Sequence, residues 1–170
     1  MNRYSPPLIF IHWITAILVL TSYVTSGDPT KGRTIWDFLI GQIHVLSGSL
    51  LFILILCRLF LRLLLPVPVV KAYNQSLTLV VKASHSLLYI FLLLVPVAGL
   101  LELYTKAISF DHVIIELPQL ELIQSCLLFF GNIHHTLGNL LITLVGLHAI
   151  NSLWHHYYLK DNSLNKMTFR

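Results

Sequence analysis

Histidine is the residue through which this sequence shows its chemistry: nine occur in 170 residues, and His12, His44, His85, His134 and His148 lie inside long apolar stretches. An imidazole in such a place can bind a metal through one ring nitrogen while the other holds a hydrogen bond, pass protons near neutral pH, or tie helices together. Ionisable side chains are costly in hydrocarbon and mark functional sites when they occur there. Spacing narrows the choice. His134 and His148 are 14 residues apart, which on an α-helix is about 21 Å of rise and brings both within about 40° of one face. A single helix then carries imidazoles at two depths on one side.

The rest of the chain must supply the elements that position these groups. Charged residues are 11% of the sequence and hydrophobic ones 56%. A soluble domain has about a quarter of its residues charged, so a soluble enzyme, a disordered tail and a nucleic-acid binder are excluded. Four apolar stretches, approximately residues 8–26, 39–65, 77–104 and 129–159, are each long enough to cross about 30 Å of hydrocarbon as a helix. The chain therefore reads as all-α, a four-helix transmembrane bundle forming a single integral-membrane domain over residues 1–170.

Local signals mark the ends. Ser5-Pro6 reads as an N-cap with a first-turn proline, and His12-Trp13 near the start of a long run argues for a retained helix over a cleaved signal peptide. The second run stops at Pro66-Val67-Pro68, with Arg58 and Arg62 expected to snorkel to the interface. Pro96 and Gly99 are expected to kink the third. The apolar residues from Leu122 to Phe129 are expected to lie in an outer loop with a short surface helix. Cys57 and Cys126 fall at opposite faces and are not expected to pair. Neither stands in a C-x-x-C-H pattern, which excludes a covalently attached c-type haem.

Charge gives the orientation. Arg3, Arg58, Arg62, Lys71, Lys82, Lys160, Lys166 and Arg170 flank the side that holds both termini, whereas Lys31, Arg33 and Lys106 share the other side with six of the seven acids. By the positive-inside rule both termini are cytoplasmic. The net charge of +4 then reflects topology and not affinity for nucleic acid.

On that topology His12 lies in the inner half of helix 1 and His44 in the outer half of helix 2. The pairs fall out as His44 with His134 near the outer face and His12 with His148 near the inner face: two bis-imidazole sites stacked across the membrane. The residue four positions after each ligand is small (Ala16, Gly48, Gly138, Ser152), which leaves room one turn along the same face for a flat macrocycle. His85 and His135 are followed at that spacing by Tyr89 and Asn139. The competing readings are interhelical hydrogen bonding and a zinc or copper site. The metal site would want ligands converging at one depth, often with carboxylate or thiolate.

The chain resembles the bacterial cytochrome b561 family, which is similar to the cytochrome b subunits of membrane-bound hydrogenases and formate dehydrogenases. The resemblance covers nearly the whole sequence. It rests on Ile11-His12-Trp13, Gln42-Ile43-His44-Val45, Ser84-His85-Ser86-Leu87-Leu88-Tyr89, Pro96-Val97-Ala98-Gly99-Leu100, Ile133-His134-His135-Thr136-Leu137-Gly138, and the tail His155-His156-Tyr157-Tyr158-Leu159-Lys160-Asp161-Asn162. It implies a bacterial inner-membrane location and a bundle enclosing two b haems, ligated from helices 1, 2 and 4. It also implies, in some members, superoxide:quinone oxidoreductase activity. One departure is His135, where relatives often carry an acidic residue, so the choice between His134 and His135 stays open.

Two axial imidazoles per iron leave no open coordination position, so such haems pass single electrons. The function expected is electron transfer across the lipid bilayer between a small outer-face donor and ubiquinone or another membrane quinone. Lys82, His85 and His155 form the inner group expected to hold haem propionates or quinone, with interfacial anchoring as the plainer role of His155 and His156. Two alternatives stand beside this: a cytochrome b anchor subunit of a dehydrogenase or hydrogenase, whose protein partner the sequence does not identify, and a haem-free metal or proton transporter.

Overall fold

The computed structural model describes residues 3–26, 34–68, 75–107, 129, 132–160 and 164–169. These form helices α1 (Pro6–Val24), α2 (Ile35–Leu64), α3 (Gln75–Ala107) and α4 (His134–Tyr157), followed by a short 3₁₀ turn, Leu164–Met167. Among the described residues there is no strand. All four helices are long and apolar enough to cross a membrane, the one open structure that satisfies every backbone polar group within its own segment. Large apolar side chains such as Phe10, Ile17, Leu46, Phe60, Leu63 and Ile150 are exposed. This is the surface of a protein solvated by lipid chains.

Each helix is delimited by identifiable chemistry. At α1, Pro6 occupies the first turn as expected, but the Ser5 side chain makes no capping bond; its carbonyl accepts from the Leu8 and Ile9 amides instead. Helix α2 begins at Ile35, four residues before the expected Leu39, because Thr34 and Asp37 form a reciprocal capping box. It ends where Leu65, preceding Pro66, turns to extended backbone. Helix α3 continues through Pro96. Helix α4 begins at His134; the loop and surface helix expected before it, like Cys126, lie outside the described residues. Cys57 is a free, exposed thiol.

The helices pack in a closed ring, α1 on α2, α2 on α3, α3 on α4 and α4 on α1. Among the described residues Leu8 and Ile55 are fully buried, and Ile9, Val19, Leu51, Ala98 and Leu141 complete the core. After α4, Lys160 takes the left-handed conformation (φ 51°). The 3₁₀ turn then packs on α4. There the Met167 carbonyl accepts from Trp13 Nε1 at 2.9 Å and the Lys166 carbonyl from the Tyr4 amide at 3.3 Å. The two chain ends thus meet at one end of the bundle, called here the termini end.

Candidate functional site

At the end opposite the termini, a cavity of about 550 Å³ opens between the four helices, within the size range of cofactor sites. His44 and His134 both line it, from α2 and α4. Their ring centroids are 5.9 Å apart and their planes cross at 74°. Two imidazoles on opposite sides of one metal ion, at about 2 Å per metal–nitrogen bond, have ring centres on the order of 6 Å apart.

Both rings are held through Nδ1. His44 Nδ1 donates to the Ser22 carbonyl of α1 at 2.7 Å, and His134 Nδ1 donates to the Val95 carbonyl of α3 at 2.9 Å. A carbonyl only accepts, so each bond fixes the proton on Nδ1 and leaves the Nε2 lone pair free. Metal-binding histidines are oriented by a bond of this kind from the other ring nitrogen. Residue 99 must be glycine for the α3–α4 approach: a Cβ there would stand 2.8 Å from His134 Cε1. Gly138, one turn beyond His134, faces open space, with nothing within 4 Å of where its Cβ would be. A flat macrocycle against α4 needs such a gap, so these residues fit a haem.

His135 is differently placed. It is exposed, and its Nδ1 meets the Asn139 amide nitrogen of its own helix at 3.4 Å. Asn139 Oδ1 in turn accepts from Tyr23 of α1 at 3.3 Å. His135, Asn139 and Tyr23 therefore form a polar rim to the cavity that His44 and His134 line.

Towards the termini end, His148 of α4 and His85 of α3 stand with ring centroids 5.4 Å apart, and His12 of α1 is within electrostatic range of both. His85 Nδ1 donates to the Val81 carbonyl of its own helix at 2.7 Å. The sequence grouped His85 with Lys82 and His155; the fold sets it directly against His148. Lys82 is exposed, and His155 is half-buried two turns beyond His148. Among the described residues no three His, Cys, Asp or Glu side chains converge as a metal site.

One residue in this region departs from its expected place. Arg58 does not extend outward from the bundle: it is 9% exposed, with Nη1 donating to the Leu8 carbonyl at 2.9 Å and Nε to the Tyr89 hydroxyl at 3.0 Å. It is within electrostatic range of His12 and His148. Arg62, one turn on, stays exposed, donates to Tyr89 at 3.2 Å and lies over its ring. Nothing in the sequence separates the two arginines. Gly99 did carry a signal, as part of the Pro96–Leu100 motif.

Comparison with known proteins points to one family. The model of a family described as prokaryotic cytochrome b561 matches residues 3–170. The "Probable superoxide oxidase CybB" of Yersinia pestis is 27% identical over 171 residues, 98% of this chain and 96% of that protein. The "Cytochrome b561 homolog 1" of Escherichia coli (strain K12) is 28% identical over 178 residues, 98% and 97% of the two chains.

Proposed function

The chain belongs to the prokaryotic cytochrome b561 family, and we propose on that premise that it is a dihaem cytochrome carrying electrons across the membrane from superoxide at the end opposite the termini to a quinone at the termini end. Membership makes it a multi-pass bacterial membrane protein that transfers electrons through b-type haem. The finer reading rests above all on one observation: His44 and His134 line one cavity with ring centroids 5.9 Å apart, each with Nδ1 anchored on a backbone carbonyl.

In this reading His44 and His134 would hold one haem and His12 and His148 the second, the two α4 histidines standing about 21 Å apart along the helix. A haem held between two of these imidazoles would supply one-electron transfer, with no position left for oxygen or peroxide. The protein's part is to bind, orient and tune. The termini end is cytoplasmic, as the Lys/Arg distribution supports. Superoxide as donor follows the name of the Yersinia pestis relative. Each superoxide gives up one electron and leaves as dioxygen; a quinone taking two electrons and two protons leaves as quinol. His85 and His155, half-buried near the termini end, supply hydrogen bonds and protons to the quinone, with Lys82 at the rim.

The ring contact between His85 and His148 favours a second reading of the termini-end site, in which His85 replaces His12 as ligand. His85→Ala that keeps two haems decides for His12. The whole function is tested in proteoliposomes containing a quinone: superoxide pulses generated outside should reduce the pool in the intact protein and fail in His44→Ala. Equal quinone reduction by both proteins would contradict the path.

A further inference from the structure

Arg58 is a buried cation whose charge the described part of the fold leaves uncompensated. It sits on α2 with 9% of its surface exposed, between the Leu8 carbonyl of α1 and the Tyr89 hydroxyl of α3, and among the described residues no carboxylate pairs with it. A guanidinium has five N–H donors in a planar fork; these two bonds use the one on Nε and one on Nη1, leaving three, one on Nη1 and two on Nη2. Removing a full charge from water without a counter-charge is costly. A fold that does so against the Leu8 carbonyl, one turn from His12 on α1, is built to receive an anion there.

The contacts also say what shape the anion has. The Leu8 carbonyl and Tyr89 hydroxyl hold the guanidinium from two helices, fixing the plane of its fork. A planar fork matches a carboxylate through two parallel bonds. Leu8 is one turn before His12 on α1, so the cation bonded to its carbonyl and that imidazole lie at neighbouring levels of the bundle.

We propose that Arg58, oriented by Tyr89 and by the Leu8 carbonyl, binds a propionate carboxylate of the haem held at the termini end and raises that haem's reduction potential. This rests on the dihaem reading above. Reduction adds a negative charge to the haem, which a fixed cation beside it favours. Removing the cation leaves the propionate charge unbalanced and disfavours reduction. Arg62, exposed one turn away and bonded to the same hydroxyl, steadies Tyr89 and is not the anion's partner.

The test is a spectroscopic redox titration of the purified, haem-loaded protein and of Arg58→Gln, Arg58→Lys and Tyr89→Phe. Arg58→Gln should lower one of two potentials by about tenfold in the reduction equilibrium, about 59 mV for one electron. Arg58→Lys should keep most of the potential, and Tyr89→Phe should produce a smaller shift in the same direction. In the His44→Ala background the Arg58→Gln shift should persist in the remaining haem. Two haems with unmoved potentials, equal shifts in the Gln and Lys variants, or a shift confined to the haem lost in His44→Ala would overturn the proposal. If Arg58→Gln does not load, the Lys and Phe variants decide by the same criteria. Wild-type protein that binds a single haem defeats the dihaem reading instead, and this proposal with it.

Discussion

Gly99 on α3 and His134 on α4 are in contact so close that a Cβ at residue 99 would stand 2.8 Å from Cε1 and 3.2 Å from Nδ1 of the imidazole. The ring is also tied to the Val95 carbonyl, so it cannot yield without losing that bond. Gly99→Ala should push His134 off its position, at about 1–3 kcal/mol for overpacking. The expected outcome is weaker binding of one haem, by roughly tenfold or more, with the other retained; haem titration of the variant measures it.

Ligand variants should separate the two sites. His44→Ala or His134→Ala should remove one haem, and His12→Ala or His148→Ala the other, each read from reduced difference spectra. His135→Ala should keep both, since its Nδ1 faces an amide on its own helix. Loss of a haem in His135→Ala and not in His134→Ala would move the assignment by one residue.

The sequence made the helices and the depths of their histidines legible, because length, apolar content and helical rise are properties of a segment by itself. Packing between segments was less so. Periodicity gives each helix a face but not the rotation of α3 against α4, so the approach of His85 to His148 and of Gly99 to His134 emerged only in the fold. Arg58 and Arg62 share one face of α2, yet only Arg58 lies at the depth where α1 and α3 close over it. The Thr34/Asp37 box was present in the sequence, but the apolar run alone set the expected start of α2 too late.

The quinone site is tested by substitution that spares the ligands. Changing His155, or His85, to leucine should slow oxidation of the pre-reduced protein by a short-chain quinone several-fold while both haem spectra stay nearly intact, as stopped-flow absorbance would show. Unchanged rates in both variants would place the quinone elsewhere.

The tail contributes a smaller effect. Trp13→Phe keeps the aromatic ring but removes the bond to the Met167 carbonyl, an exposed contact of the kind that contributes about 1 kcal/mol or less. Haem release on heating should occur slightly earlier, with spectra unchanged at room temperature. A variant that loses the haem near His12 outright would mean that the tail is needed to hold α1 in place.

Haem stoichiometry reaches the centre of the account directly. A pyridine-haemochrome assay against protein concentration, on fully loaded protein with an oxidised-minus-reduced spectrum, should return two non-covalent b haems per chain with the sharp reduced bands of low-spin, bis-imidazole iron. One haem per chain, or a spectrum with a high-spin component from an open iron position, would contradict two stacked histidine-paired sites.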